Sequence, residues 1–440
     1  MLVERYRLYT RLFFGTMWVM LCRGFVMTEV FPQLREIDPY IAILADAIFA
    51  GLGLLTISSK RDTICFVSFV VISLISKFLN SQGMVEWLNG FRDFTGLLFI
   101  IPFIRYMMSR EDYGKRFTES MDRQLRIFLY LQAVCVVYQF IIHGAGDYGG
   151  GTFGFGGSGM ISTLIYGVSF YFMVKGWDYE DGYFNNLYRN RIYVFLLFPT
   201  FLNETKISFI YLLAYFVFLM KIDRRFIARL FMSMPVFIAL LLLSGYVYMK
   251  VTKQESDVIM TADFFNEYLI GEDFEHLMDV AIAVQEEDIE TDNIWAMDLP
   301  RLGRFLIISD IMKTAKGGMV WGAGIGQFKG NNKMGQTEFG RKNRWFLIGS
   351  VTMSFFMIVQ LGIVGLLWYV ASSVSVIMTH DKYRFANNIR LFMFLIFALL
   401  LVYHDSFRYT PFCAIYFFIC MVGLQPVMRN KNANEVIENE

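Results

Sequence analysis

The chain of 440 residues is 56% apolar, 18% aromatic and 18% charged. Its 40 Lys and Arg nearly balance its 39 Asp and Glu, and the resulting net charge of +1 argues against a nucleic-acid-binding protein. Long apolar runs recur from end to end, and about 20 apolar residues are enough to cross the hydrocarbon core of a bilayer. The composition therefore argues against a soluble domain and predicts an all-α polytopic membrane protein.

Apolar segments predict twelve transmembrane spans. In chain order they cover approximately residues 10–30, 39–58, 62–80, 90–108, 124–143, 159–176, 191–202, 206–221, 229–249, 346–378, 386–403 and 410–426. Lys and Arg in the connections alternate onto one side, and the positive-inside rule makes that side cytoplasmic, together with both termini. The predicted domains are spans 1–9 (residues 1–249), a large outer loop (250–345), spans 10–12 (346–426) and a cytoplasmic tail (427–440). The long first run after an arginine-rich start indicates an uncleaved first span.

Two features of the sequence argue against metal and disulfide chemistry. The five cysteines fall within apolar runs without paired spacing, at Cys22, Cys65, Cys135, Cys413 and Cys420. They predict neither a disulfide framework nor a zinc site. The acidic run at residues 286–290 lacks the ligand spacing of a calcium loop and is more typical of a solvated face. We therefore expect no metal and no cofactor.

Two predicted spans, residues 191–202 and 206–221, are too short to cross a bilayer comfortably. They meet at Asn203-Glu204-Thr205-Lys206, and polar groups at membrane depth are costly unless they line protein or a wet cavity. One interpretation is a tight outer turn with solvated charges. The other is a re-entrant tip that lowers Glu204 and Lys206 into an outward-facing cavity.

The outer loop is divided by charge. Its first half, to Asp298, has fourteen carboxylates against two lysines, whereas residues 301–344 have nine Lys and Arg against two carboxylates. A cationic strip near the bilayer suits an anionic lipid-linked substrate. The glycine-rich run at residues 322–328 lacks the Lys-Ser/Thr that completes a P-loop, and it predicts a tight turn that supports the basic segment.

The basic half of the loop predicts an amphipathic helix over residues 301–316. Arg301 and Arg304 would share one face of this helix, because residues three apart are neighbours on a helical surface. Two guanidinium groups could stabilise the charge that grows on a leaving diphosphate, which is where preorganised cations help catalysis most. The alternative is an interfacial helix whose arginines reach lipid headgroups.

His404 lies beside Asp405, with Arg408 nearby, at the outer end of the eleventh span. A His–Asp neighbour at a cavity mouth could act as a general base on an acceptor hydroxyl. Adjacent helical residues point about 100° apart, so interfacial anchoring is the alternative. The other predicted substrate-binding cations are Lys206, Arg341, Arg344 and Arg408.

The order of these parts resembles a known membrane enzyme family. The elements that carry the resemblance are the basic step Thr205-Lys206 after a short span, Arg301 ahead of an amphipathic helix, the Gly-x-Gly-x-Gly-aromatic run at 322–328, and Gln360 followed by Gly362 and Gly365. A glycine-rich outer segment at residues 144–159 fits too. This arrangement, over residues 150–440, is similar to the O-antigen polymerase and O-antigen ligase superfamily.

The resemblance implies a multi-pass protein of the bacterial inner membrane that uses polyprenyl-diphosphate-linked glycans. Arg301, Arg304 and Lys206 would hold the diphosphate, and Glu204 or His404 would be the base. Implied partners are the lipid-linked glycan, membrane lipid, a flippase and a chain-length regulator, without nucleic acid. Ligases of the superfamily place a His-Asn pair where this chain has Thr352-Met353, which favours the polymerase branch. Lysine at position 206 also departs from the family's arginine and lacks its bidentate fork.

Two alternatives stay open. A ligase that moves finished glycan onto a lipid or protein acceptor would use the same cations. A flippase or transporter would also have about twelve spans, but such proteins usually consist of two similar halves, and no internal repeat is visible. Glycosyltransferase and flippase genes beside this one would favour the polymerase, whereas a solute-linked operon would favour transport.

The alternation of Lys and Arg makes the topology testable. Cysteines introduced at Glu287 and Asn331 should react with a membrane-impermeant thiol reagent added to intact cells, because both positions are predicted to lie outside. A cysteine at Lys382, in a predicted cytoplasmic connection, should react only after the cells are opened. Labelling of position 382 from outside would reverse the orientation.

Overall fold

The structure is a computed structural model that describes residues 2–144, 148–178, 180–203, 207–220, 301, 303–329, 337–349, 351–378 and 384–421, with isolated positions at 228, 232, 235 and 239. Across these residues the regular structure is helical and contains no strand. The predicted all-α class is therefore confirmed.

Eighteen α-helices lie within the described part of the chain. They are α1 (Leu2–Phe25), α2 (Asp38–Leu54), α3 (Lys60–Leu79), α4 (Met84–Phe91), α5 (Ile101–Met108), α6 (Glu111–His143), α7 (Ser158–Lys175), α8 (Tyr183–Arg189), α9 (Arg191–Phe195), α10 (Pro199–Leu202), α11 (Ile207–Phe218), α12 (Gly303–Met312), α13 (Gly318–Trp321), α14 (Glu338–Lys342), α15 (Arg344–Leu347), α16 (Met353–Ile377), α17 (Arg384–Tyr403) and α18 (Thr410–Met421).

Several of these helices are suited to a bilayer. Among the described residues, four helical stretches are long and apolar enough to cross one: Arg5–Val30, Lys60–Leu79, Tyr113–His143 and Met353–Ile377. Shorter apolar helices cover Gly96–Met108, Arg191–Leu202, Ile207–Phe218, Asn387–Tyr403 and Thr410–Met421. The protein is therefore a helical membrane protein, and the number of twelve spans stays a prediction.

Some helix bounds differ from the predicted spans. The segment predicted as residues 90–108 changes from a 3-10 turn (Arg92–Phe94) to a π-helical turn (Gly96–Ile100) before α5 begins. Pro102 accounts for part of this change, because it has no N–H to donate to the carbonyl four residues earlier. The predicted span 191–202 is likewise split into α9 and α10, and Pro199 begins the second piece.

The predicted helix over residues 301–316 is wrong in its bounds. Helix α12 begins at Gly303 and ends at Met312, so Arg301 precedes it and the two arginines do not share a helical face. The chain turns after Met312 because the Gly317 amide donates to Asn80 Oδ1 at 3.2 Å and Gly318 adopts a positive φ of 54°. Lys316 therefore lies in the turn that follows the helix.

Helices α7 and α18 form the centre of the bundle. Every residue of α18 is buried, and so are nearly all residues of α7. The two helices pack against each other, and α7 also packs against α17. Small residues in α7 permit this close approach, as at Gly167, which lies against the side chain of Met393. A helix that is apolar on all sides has no face for water and is stable only when it is enclosed.

Helix α16 is interrupted at Gly362, which has φ 69° and ψ −168°. The interruption leaves carbonyl groups without partners inside the helix, and a buried unpaired carbonyl is costly. Residues of the glycine-rich run supply the missing donors. Ala323 N donates to Val359 O at 2.8 Å, and Gly324 N donates to Gln360 O at 3.0 Å.

The backbones of the glycine run and of α16 approach closely at the interruption, because the glycines at the contact have no side chains. A Cβ at Gly362 would lie 2.1 Å from Val320 O, and one at Gly322 would lie 2.5 Å from the Gln360 carbonyl carbon. Asn80 at the end of α3 closes the junction by donating to Gly322 O at 2.9 Å. The loop helices therefore attach to the membrane helices through backbone contacts.

The interruption of α16 yields a stability prediction. Gly362→Ala should lower the free energy of unfolding by about 2–5 kcal/mol, because an L residue is strained at this φ and the new methyl group overlaps Val320. Gly51→Ala is the control, since a Cβ there has open space and alanine favours a helix by roughly 0.5–1 kcal/mol. Thermal unfolding of the detergent-purified variants measures both. Equal melting temperatures would contradict the structural role of the interruption.

Candidate functional site

Two adjoining cavities lie at one end of the bundle, where α1 ends and α2 begins. The first, here called the ion-pair cavity, has a volume of about 280 Å³. It is lined by Met20, Arg23, Ala42, Asp46, Arg92, Asp93, Met160, Lys329, Asp405, Arg408, Tyr409 and Thr410. The second, the Phe153 cavity, has about 420 Å³ and shares Arg23, Met160 and Tyr409 with the first. The two cavities therefore meet at the side chains of Arg23 and Tyr409.

One ion pair of the cavity joins α2 to the segment after α4. Asp46 is 8% exposed and accepts from Arg92 at 2.9 Å and from Thr410 Oγ1 at 3.1 Å. Both charged residues fall within apolar segments, where an isolated charge would be costly. Mutual pairing and the additional hydrogen bond stabilise the carboxylate at this depth.

Asp93 is the centre of the cavity's electrostatics. It is 6% exposed, and its Oδ1 lies 2.5 Å from Lys329 Nζ and 3.8 Å from Arg408 Nε. Its Oδ2 has no hydrogen-bond partner. Lys329 directly follows the glycine run, so the docking of that run into α16 places this ammonium group beside Asp93.

Arg408 joins the same network from the connection between α17 and α18. It donates to Asp405 Oδ2 at 2.6 Å, and its guanidinium lies over the rings of Phe356 and Phe328, at 4.6 and 5.4 Å. Contacts with aromatic faces and a carboxylate together hold the group in one orientation. Its Nε has no hydrogen-bond partner.

The charged groups in this network shift one another's pKa values. Burial alone would raise the pKa of Asp405, but Arg408 and His404 outweigh burial and hold that pKa below its usual range. Burial alone would lower the pKa of Arg408, but Asp93 and Asp405 raise it. Burial lowers the pKa of Lys329, and Asp93 offsets only part of this effect. Arg408 is therefore a permanent cation, whereas the cavity weakens the hold of Lys329 on its proton.

Three of the predicted site residues meet on the connection between α17 and α18. Arg301 donates to Tyr403 O at 3.0 Å, and its guanidinium lies 4.2 Å from the centre of the Tyr403 ring. The adjacent His404 has its Nδ1 3.0 Å from Ser406 Oγ and 3.4 Å from Asp405 Oδ1. Arg408 follows on the same connection. Arg301 and His404 therefore flank the network without lining the ion-pair cavity itself.

Arg304 has a different environment from Arg301. It is 1% exposed, donates to Phe346 O at 2.7 Å, and lies 5.9 Å from the centre of the Phe355 ring. It therefore holds α12 against α15 and the start of α16, within a small apolar core that belongs to the loop helices. It lines neither of the two cavities.

Two of the other predicted residues lie in described helices, away from the cavities. Arg341 in α14 and Arg344 in α15 are exposed and line neither cavity. Glu204 and Lys206 lie outside the described residues. Their neighbour Asn203 is fully buried and donates to Ser162 Oγ at 2.8 Å.

Thr352 and Gln360, which mark the family comparison, have structural contacts. Thr352 Oγ1 accepts from Phe355 N at 3.2 Å and caps α16. Gln360 Oε1 accepts from Gly326 N and thereby binds the glycine run. The hydroxyl of Thr352 therefore has a structural role at the start of α16.

The sequence analysis missed most of the residues that line the ion-pair cavity. Asp46, Arg92 and Asp93 all lie in predicted spans, and an ionisable residue within a span is by default a candidate for function. That signal was present in the sequence and was not used. Lys329 had no such signal, because it is one of several lysines in a basic loop.

The arrangement defines what the cavity can bind. Arg23, Arg92, Lys329 and Arg408 face a common space with Asp46, Asp93 and Asp405. The cations can hold phosphate oxygens, and the carboxylates can accept hydrogen bonds from hydroxyl groups. Among the residues described, no cluster of three or more His, Cys, Asp or Glu is placed to hold a metal ion. In comparisons with known proteins, no family model matches the chain and no curated protein matches it.

The Asp93–Lys329 pair can be tested by a double-mutant cycle. Lys329→Met should cost about 3 kcal/mol, because it removes the closest cation from a buried carboxylate. Adding Asp93→Asn should recover a large part of this loss, since no uncompensated charge then remains. Thermal unfolding of the purified variants gives the comparison. Lys313→Met is the control, because Lys313 is 76% exposed and its pair with Asp310 is worth at most about 1 kcal/mol. Additive effects of the two cavity substitutions would contradict the coupling.

Proposed function

We propose that this protein is a membrane glycosyltransferase that polymerises polyprenyl-diphosphate-linked oligosaccharide repeat units into a surface polysaccharide of the O-antigen or capsule type. The observation that carries the proposal is the ion-pair cavity, in which four cations from distant parts of the chain face one space of about 280 Å³. Their guanidinium and ammonium groups can hold the oxygens of a diphosphate, while Asp46, Asp93 and Asp405 in the same cavity hold the cations in place. The order of sequence elements described above is the second support.

The adjoining cavity suits the glycan part of such a substrate. The Phe153 cavity is larger, at about 420 Å³, and is lined by Phe153 and Phe155 as well as by polar groups of Arg35, Asp38 and Thr28. Aromatic rings can pack against the apolar C–H face of a sugar, while polar groups bind its hydroxyls. A diphosphate in the ion-pair cavity would therefore place the first sugar at the boundary formed by Arg23 and Tyr409.

The proposed reaction would replace the bond between the anomeric carbon and the diphosphate oxygen with a glycosidic bond. A sugar hydroxyl of a new lipid-linked repeat unit attacks that carbon of the growing chain and forms the glycosidic bond. The bond to the diphosphate oxygen breaks, and the polyprenyl diphosphate leaves with the electron pair. Arg408, Lys329 and Arg92 would stabilise the charge that develops there, because their carboxylate partners already hold them in place.

The proton of the attacking hydroxyl requires a base. Glu204 and His404 are the candidates from sequence, and His404 lies beside Asp405 at the edge of the network. Asp93 is a further candidate, because its Oδ2 lacks a hydrogen-bond partner next to the cations. Arg301 would act from the flank of the cavity, and Arg304 would position the loop helices through Phe346.

The proposal places the cavities on the outer face of a bacterial inner membrane. The end of the bundle opposite the cavities carries Arg61, Arg105 and Arg110, which suits the cytoplasmic side under the positive-inside rule. The N- and C-termini would then be cytoplasmic and the large loop periplasmic. A flippase that delivers the repeat units and a chain-length regulator are the partners that this activity would require.

A ligase and a transporter are the competing functions. A ligase would use the same cations and differ only in its acceptor. A transporter is favoured by one specific observation, which is a second charged cluster within the bundle. In that cluster Tyr171 donates to Asp122 Oδ1 at 2.6 Å, and Lys175 pairs with the same carboxylate. Charged groups at membrane depth are also typical of ion and proton pathways.

The proposal is tested by glycan chain length in a strain that lacks the gene. Deletion should abolish long chains while single repeat units still reach their final acceptor. Arg408→Lys should restore polymer only partly, because lysine keeps the charge without the guanidinium fork. Arg408→Ala should reduce the polymerisation rate roughly 30- to 1000-fold, because it removes about 2–4 kcal/mol of transition-state stabilisation, and Arg301→Ala should reduce it less because Arg301 lies outside the cavity.

Lys316→Ala is the matched control, because Lys316 is an exposed lysine in the same basic loop. It should restore chains of full length at equal membrane protein levels. Complete loss of glycan from the acceptor in the deletion strain would favour a ligase instead. Full-length polymer from both Arg408→Ala and Arg301→Ala would place the diphosphate site elsewhere.

A further inference from the structure

A third cavity, of about 330 Å³, lies at the opposite end of the bundle from the ion-pair cavity. It is formed between α3, the segment Gly96–Met108 and the second half of α16. We call it the α3–α16 groove. Its walls are mainly apolar, with Leu97, Leu98, Ile101, Pro102 and Trp368 on the inner side. Arg61, Asp62, Arg105 and three serines provide its polar part.

The polar part of the groove carries more positive than negative charge. Arg105 pairs with Asp62, and its Nη1 lies 3.5 Å from Ser59 Oγ. Arg61 is exposed, and its Nη2 donates to the backbone carbonyl of Ser375 on α16. Two guanidinium groups therefore face one carboxylate at this mouth. Arg61 donates to a neutral carbonyl, and a charged phosphate would accept a stronger hydrogen bond from the same guanidinium group.

The groove opens sideways onto an apolar surface. Ile64 on α3 is 67% exposed and Leu367 on α16 is 64% exposed, and Val67 and Val71 continue the exposed apolar face of α3. The inner wall is closed, since Leu97, Leu98 and Ile101 are at most 5% exposed. Because α3 is one of the helices able to cross a bilayer, this face lies against lipid acyl chains.

We infer that the α3–α16 groove binds one anionic glycerophospholipid. Its phosphate would accept hydrogen bonds from Arg61 and Arg105, and one acyl chain would lie along the apolar wall towards Trp368. Charge complementarity supports the phosphate, and the sideways opening supports the chain. Basic pockets between membrane helices on the cytoplasmic side are typical sites for anionic lipid headgroups. This inference is independent of the glycan chemistry at the other end.

The position of the groove gives the lipid a structural consequence. The groove lies between α3 and the second half of α16. The glycine run is held at the other end of α3, by Asn80, and at the interruption of α16, by the segment around Gly362. A lipid that binds only the folded protein stabilises it in proportion to its concentration. Anionic lipid should therefore raise the melting temperature of the whole bundle.

Native mass spectrometry of the full chain in detergent tests the inference. Phosphatidylglycerol is titrated against phosphatidylcholine with the same acyl chains, and the first bound lipid is counted. We expect the anionic lipid to bind about ten-fold more tightly, because the choline cation of phosphatidylcholine offsets the phosphate charge and is repelled by Arg61 and Arg105. Arg61→Gln should weaken its binding by a similar factor.

Two further variants separate the parts of the site. Ala371→Trp, at an exposed position on the groove's edge, should block the acyl chain without a change in charge. Arg116→Gln is the control, because Arg116 is an exposed arginine at the start of α6 outside the groove. It should bind the lipid as the unmodified protein does, within about two-fold.

The outcomes decide the question. Equal binding of the two lipids, or unchanged binding by Arg61→Gln and Ala371→Trp, would overturn the inference. Inorganic phosphate at millimolar concentration should not displace the lipid, because it cannot use the apolar wall. Displacement by phosphate, with Ala371→Trp unaffected, would mean that the groove is a phosphate site and not a lipid site.

Discussion

The arrangement of this protein depends on the docking of the glycine run at residues 322–328 into the interruption of α16. Two carbonyl groups of α16, those of Val359 and Gln360, take their hydrogen bonds from Ala323 and Gly324. Without this run the Val359 carbonyl would be buried and unpaired, and the Gln360 carbonyl would keep only the long hydrogen bond from Ser76 Oγ, at 3.4 Å. The interruption therefore requires the glycine run.

The same docking sets the position of the candidate site. Phe328 ends the glycine run, and Lys329 follows it. The backbone contacts at the interruption therefore set the positions of Phe328 beside Arg408 and of Lys329 beside Asp93. Asp93 also pairs with Arg408, which belongs to the connection between α17 and α18. A loop segment, a 3-10 turn and a helix connection thus share one carboxylate. A cation cluster held in this way needs little reorganisation when an anion binds, which is the condition for electrostatic catalysis.

The two ends of the bundle would serve different ligands of related chemistry. At one end, paired cations enclose a space with polar and aromatic walls, which suits a diphosphate with an attached sugar. At the other end, two arginines border an apolar groove that opens sideways, which suits a phospholipid. Helices α3 and α16 line the groove, and the opposite end of α3 holds the glycine run through the hydrogen bond from Asn80 to Gly322 O.

The sequence by itself determined the class of the protein and the chemical character of its loop. Apolar runs of sufficient length predict membrane helices, because hydrocarbon leaves a backbone no partner but itself. The glycine-rich turn was also predicted from local composition, and the role of Arg408 in substrate binding stays a prediction. The predicted shared face of Arg301 and Arg304 is wrong, because α12 begins at Gly303, after Arg301, and Arg304 enters the loop's own core. Only the tertiary structure decided which charges meet. Lys329 and Asp93 are 236 residues apart in sequence, and no periodicity or spacing encodes a contact over that separation. The contact exists because the interruption of α16 at Gly362 brings the loop to the end of α3, and burial then makes the pairing of Lys329 with Asp93, which Arg408 also joins, necessary for both charges.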